Sequence, residues 1–242
     1  MIIGLDCLRE YRFIAYLCRH PFSHTLNLYN MEITRADIIA RTKTCMEELT
    51  PQWNGTFEQT EGVSIERYID DKIDEQLRVL FITAPVILLP VTELKGQVVV
   101  QQRQDGTGRL QMPDNFLRPV SLQMEGWNKP VSKFINEQHP LYELQFSRYT
   151  RGGVNKPVAV WSLDGSGCHI IDYFSLPATM KQHTVQSFLG VLLPTEDAME
   201  YELHPLLVDA LCYSCAAVVY DIWGNRAMAE VMLARVEKII AE

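Results

Sequence analysis

Clustered positive charge is the first thing this sequence lacks. Its 22 Lys and Arg are outnumbered by 30 Asp and Glu, for a formal net charge of -8. Broad binding to nucleic acid needs grouped cations to neutralise phosphates, so that class of activity is excluded as the main one. One local basic group remains: Arg148, Arg151 and Lys156, around the Gly152-Gly153 pair. A membrane-length apolar run is missing too. The longest candidate, Leu206 to Val219, is interrupted by Asp209 and falls short of the roughly 20 residues a span needs. The first twenty residues carry Asp6, Arg9 and Glu10 where a signal peptide has its apolar core, and no small-residue cleavage site follows. Cysteine is sparse: Cys7, Cys18, Cys45, Cys168, Cys212 and Cys215 are scattered, with no compact disulfide framework, which points to a reducing compartment.

Catalytic signatures are equally thin. No G-x-S-x-G, Walker A or dinucleotide fingerprint occurs, and the turns Arg151-Gly152-Gly153 and Asp105-Gly106-Thr107-Gly108 are not followed by the helix that phosphate binding uses. Cys212-Tyr213-Ser214-Cys215 has the C-x-x-C spacing, but it lies inside an apolar helical stretch with no second pair to complete a zinc site. Two buried small side chains is the expected reading. His20 and His24 are four apart, with Pro21, Phe22 and Ser23 between them and no Glu for a zinc protease. Asp70, Asp71, Asp74 and Glu75 form an acidic run whose spacing puts it on the polar side of an amphipathic helix, hence a solvated face. We therefore expect no enzyme, no cofactor and no metal centre.

What is present is a globular composition, 47% hydrophobic and 21% charged, in 242 residues. Thr34, with Asp37 three residues on, predicts a helix start; Ile38, Ile39, Thr42, Cys45, Met46 and Leu49 continue it until Pro51. Thr50 to Gly62 reads as a loop. A second helix runs from Ser64, with Ile65, Tyr68, Ile69, Ile73, Leu77, Leu80 and Phe81 on one face, and ends before Pro85. The middle of the chain reads as β-rich. One hairpin turns at Asp105–Gly108 and another at Asp164–Gly167, while Val120 to Met124 alternates toward Trp127. Lys133 to Phe146 is ambiguous, with room for a short helix broken at Pro140, and Thr184 to Leu193 reads equally as strand or helix. His204-Pro205 opens a helix apolar nearly all round, Gly224-Asn225 ends it, and Arg226 to Ala241 forms a last helix. The stretch from His204 to Glu242 is thus a helical hairpin too apolar to stand alone in water.

The expected architecture is α+β: a helical bundle from the N- and C-terminal helices (31–85 and 195–242), with a β-rich insertion (86–194) between them. Residues 1–30 show no clean period, and Met31 precedes a well-formed helix start. We expect the natural chain to begin at Met31, with residues 1–30 as an upstream extension. An ordinary ordered arm is the alternative.

Met112-Pro-Asp-Asn-Phe-Leu-Arg118, followed by Val120-Ser-Leu-Gln-Met-Glu-Gly-Trp127, resembles a segment common in phage head–tail connector (adaptor) proteins, including the tail tubular protein A type. In those proteins a turn of this composition leads into a strand that ends at a Gly-Trp or similar pair. Gly152-Gly153 with Lys156-Pro157-Val158, then the Ala-rich helix from Pro205 and its successor, follow in the same order. The likeness covers about Met31 to Glu242. It implies a structural virion protein, assembled in the host cytoplasm, that forms a ring of about twelve copies by heterologous contacts. The ring would sit beneath the portal and meet a downstream tail or ring protein, with extended loops such as Gln104–Met112 or Phe146–Val158 to dock a partner. The genome would pass through its lumen without specific binding, and an acidic lumen suits that passage. A rival reading is an enzyme or ligand-binding domain whose pocket gathers Trp161, His169, Asp172 and Tyr173 in the second hairpin, with alternation putting Asp172 on the same face as only some of them.

Overall fold

The computed structural model describes residues 30–49, 64–195 and 198–241. The predicted loop Thr50–Gly62, His20, His24, Cys7, Cys18 and the expected extension 1–30, apart from Asn30, lie outside the described residues. The described residues divide into two compact units: 91–192, and 30–90 with 193–241.

The structure overturns the expected helical bundle with a β-rich insertion. Among the described residues nine strands in three sheets outnumber four α-helices, and one of those sheets belongs to the terminal segments themselves. Strand β1 (Met31–Thr34) pairs antiparallel with β9 (Glu200–Leu203), with Met31 opposite Leu203 and Ile33 opposite Tyr201. Each strand is four residues long. That is too short to show a period, and the partners are far apart in sequence, so helix starts alone are visible in those stretches.

The terminal unit also holds α1 (Arg35–Leu49), α2 (Ile65–Thr83), α3 (Pro205–Ile222) and α4 (Arg226–Ala241). The start of α1 is a capping box. The Asp37 amide donates to Thr34 Oγ1 (3.1 Å), and the Thr34 amide and hydroxyl donate to Asp37 Oδ2 (3.3 and 2.6 Å). These bonds hold the Asp37 carboxyl below its usual range. Ser64 caps α2, its Oγ accepting from the Arg67 amide. His204 caps α3 through Nδ1, with Pro205 in the first turn, and Gly224 follows at φ +75°.

Helix α3 packs against α1, α2 and α4, so its all-round apolar surface is covered within its own unit. The small residues Ala210, Ser214, Ala216 and Ala217 are all buried there. Its 18 residues are long and apolar enough to cross a bilayer by length and composition, which the interruption at Asp209 had spoken against. Burial of 61% of that window accounts for the apolarity as core packing. Polar groups are matched inside: Ser214 Oγ donates to Gln76 Oε1 (2.6 Å) and Tyr220 OH to the Met46 carbonyl (3.0 Å). Helix α4 buries only Ala229, Met232 and Val236.

In the β unit, β2 (Val91–Glu93), β8 (Val185–Leu192) and β5 (Phe116–Met124) form one antiparallel sheet with β8 at its centre. The ambiguous Thr184–Leu193 is therefore strand. Gly190 in β8 is required by close approach, since a Cβ there would lie 2.7 Å from Leu94 Cδ1 and 2.9 Å from Phe116 Cε2. A second sheet has the order β3 (Val99–Gln102), β4 (Gly108–Gln111), β7 (His169–Tyr173), β6 (Ala159–Leu163). Both predicted hairpins are formed here, β3–β4 and β6–β7. One core joins the two sheets: Leu110, Ile171 and Tyr173 from the second pack with Phe116, Leu122, Met124 and Phe188 from the first, and Trp127 closes it. Pro119 sits at a register irregularity in β5, where a missing N–H is tolerated.

Candidate functional site

The hairpin β6–β7 places Trp161, His169 and Tyr173 on one face of its sheet, because Trp161 pairs with Ile171, Leu163 with His169 and Ala159 with Tyr173. Asp172 pairs with Val160 and faces the other way. Trp161 and His169 do meet: the indole N–H donates to His169 Nδ1 at 3.1 Å. Tyr173 is fully buried and bonds His183 Nδ1 instead, at 2.8 Å. Burial pushes its phenol up to about 12 and lowers both imidazoles. Asp172 is held by a two-pronged Arg109 contact, 2.9 Å on each oxygen, with Arg103 at 3.5 Å. The four residues of the rival pocket are therefore spent in three separate local contacts rather than brought to one point.

Cys212 and Cys215 are buried in α3, and burial pushes the Cys212 thiol up to about 12 and Cys215 further in the same direction. A thiolate nucleophile is out of reach there. Among the described residues, no group of three His, Cys, Asp or Glu is placed to hold a metal ion.

The acidic run on α2 is only partly a solvated face, and this the sequence reading missed. Arg35, at the first position of α1, is 7% exposed. Its Nε donates to Asp70 Oδ1 (2.5 Å), Nη1 to Asp74 Oδ2 (3.0 Å) and Tyr201 OH (2.8 Å), and Nη2 to the Asp70 carbonyl (2.7 Å). Tyr201 OH donates in turn to Asp74 Oδ1 at 3.1 Å. Asp70 and Asp74 are four apart, so they stand one above the other on α2 and receive one planar guanidinium between them. That spacing was the available signal. With every nitrogen engaged, Arg35 fastens β9, α1 and α2 together.

The basic group Arg148, Arg151 and Lys156 lies in a long ordered loop between β5 and β6, and here the structure adds most. Pro140 precedes a short 3-10 turn, Glu143–Phe146. Gln145 is 3% exposed and acts as the internal frame of the loop. Its Nε2 donates to the Leu141 carbonyl (2.8 Å) while its Oε1 accepts the Gly152 amide (3.0 Å). Thr150 Oγ1 donates to the Leu144 carbonyl at 2.8 Å, and the Arg151 guanidinium reaches the Asp105 carbonyl. Gly152 is again a close approach, a Cβ there lying 2.6 Å from the Lys156 carbonyl. Phe146 rests edge-on against Tyr142 and Phe174, at centroid distances of 5.0 and 5.8 Å.

This frame holds apolar side chains in water. Phe146 is 62% exposed and Tyr149 95%, with Leu141 and Leu144 also exposed. Arg148 and Lys156 are exposed in the same loop, and among the described residues neither has an ion-pair partner. Exposed aromatics with an Arg in the same loop match the composition of contact surfaces between proteins. We take Leu141–Lys156 as the candidate functional site.

A scan against protein-family models finds no match for this chain, and a search of curated proteins finds none either.

Proposed function

We propose that this chain is a structural virion protein, a head–tail adaptor that forms a ring under the portal and joins it to the tail. The observation that carries the reading is the Met112–Trp127 segment, in its turn–strand–turn form. The Phe116 amide closes a turn on the Pro113 carbonyl (2.9 Å), β5 follows, and the Trp127 amide closes a second turn on the Met124 carbonyl (3.1 Å) after Gly126 at φ +91°. That is the local structure the resemblance implies for those residues. Phe116 and Trp127 are both core residues of the β unit.

Charge distribution supports the same reading. The described residues of the unit 30–90 with 193–241 carry nine Lys and Arg against fifteen Asp and Glu, a balance of -6. The unit 91–192 has ten against eight, a balance of +2. One acidic unit per subunit gives a ring an anionic wall, which repels a DNA backbone and lets it slide. The portal and the next tail or ring component are the partners of the two ring faces, and the loop Leu141–Lys156 is a docking element.

The test is an asymmetric cryo-microscopy reconstruction of the portal vertex in virions of the virus that encodes this chain. Ring density into which both units fit is the expected result. A vertex fully accounted for by other chains sinks the proposal.

A further inference from the structure

We infer that the loop Leu141–Lys156 docks on a second copy of this chain, against the carboxylate face of its β1–β9 ribbon. This rests on the ring reading above and names the two surfaces that would meet.

The occupant follows from charge. Glu32 and Glu202 are direct cross-strand partners in the β1–β9 ribbon, and both are exposed. Glu200 stands two residues along on the same outward face and is exposed as well. Like charges placed directly opposite destabilise a strand pair. Among the described residues no cation bridges these three carboxylates. A short ribbon that keeps this repulsion is relieved by a cationic partner. The loop is the matching surface: Arg148 and Lys156 supply the cations, and Tyr149 and Phe146 the apolar contact around them.

The order of the loop strengthens the case. The Gln145 frame sets the backbone before contact, so little entropy remains to be lost on docking. The two surfaces belong to different units of the chain, so the contact is heterologous, the kind that closes into a ring or runs on as a filament. Duplex DNA is the weaker occupant. Four exposed apolar side chains belong to the same loop, and the exposed Glu143 stands among them in sequence.

The experiment is sedimentation velocity on the full chain, at about 50 mM and about 500 mM salt. Association that weakens with salt is expected. Arg148→Glu and Tyr149→Ala each weaken it about tenfold or more. Glu202→Arg weakens it comparably, and the pair Arg148→Glu with Glu202→Arg recovers most of the loss. All three positions are exposed and outside the core, so the variants fold, as circular dichroism checks. Association that ignores all three single variants overturns this surface and leaves the ring reading standing. A chain that stays monomeric up to about 300 µM at low salt also overturns it, and the vertex reconstruction then decides the ring separately. Loss of duplex DNA binding in Arg148→Glu with self-association unchanged overturns it in favour of nucleic acid.

Discussion

Replacing Arg35 by Met keeps much of its alkyl volume and removes all of its donors. The guanidinium is buried and makes contacts to Asp70, Asp74, Tyr201 OH and the Asp70 carbonyl. Breaking a fully buried pair from one side costs about 3–5 kcal/mol, because a charge is stranded. The cost is smaller here. The Asp70 and Asp74 side chains are 43% and 37% exposed, so water rehydrates both carboxylates once the cation is gone. Tyr201 OH also keeps its bond to Asp74. What is lost is a set of charge-assisted hydrogen bonds and the link from α1 to α2 and β9, about 2–3 kcal/mol in sum. Hydrogen exchange with mass analysis reads this by unit. At about 1.4 kcal/mol per tenfold, the slowest amides of α2 and α3 should exchange about 30- to 140-fold faster, with the slowest amides of β4 and β7 unchanged. Acceleration below about threefold in α2 and α3 would mean that the network is ornamental, and the reasoning fails.

The β unit should lose stability on mild acidification. Burial lowers the pKa of His183 and His169, so the folded state resists a proton that the unfolded chain accepts. Their contribution is fully present above the unfolded value of about 6.5, falls as pH drops below it, and levels off under the folded values. His183→Asn should flatten part of that slope in urea titrations between about pH 7 and 5; an unchanged slope refutes the assignment. Among Cys168, Cys212 and Cys215, iodoacetamide at about pH 8 should label the exposed Cys168 in the native protein and spare the two buried thiols of α3. Equal labelling of all three contradicts the α3 packing. Gln145→Ala should leave the Gly152 N–H and the Leu141 carbonyl without partners, costing about 1–3 kcal/mol locally. Exchange across 141–153 should then rise while β4 and β7 keep their protection.

Legibility in the sequence followed the length of the pattern. Helix α2 could be read because its apolar stripe repeats over 19 residues, and the hairpins could be read because Asp105-Gly106 and Asp164-Gly165 mark turns between paired runs. The β1–β9 ribbon could not. Its four-residue strands show no period of their own, and what makes them strands is a partner more than 160 residues away. The same blindness produced the expected helical bundle, because helix starts at Thr34 and His204 are local signals and the ribbon beside each is a non-local one. Arg35 was overlooked for a related reason. Its two carboxylates were visible as an i, i+4 pair, but nothing local says that a guanidinium from another helix comes to lie between them.

The candidate surface shows the limit most clearly. Arg148, Arg151 and Lys156 were legible as a modest basic group and Phe146–Val158 as an extended loop, whereas the exposure of the Phe146 and Tyr149 side chains was not. The difference between an aromatic that reaches the core and one held in water is made by Gln145, a polar residue that takes the buried position inside its own loop. A buried amide must find partners, and it finds them in the Leu141 carbonyl and the Gly152 amide, which ties the loop ends together. Once that position is filled by Gln145, Leu144 and Phe146 on either side are left largely exposed. A rigid loop that exposes Tyr149 at 95% accepts a standing solvation cost, and contact with a partner removes it. The self-docking inferred for this loop would therefore gain by covering Phe146 and Tyr149.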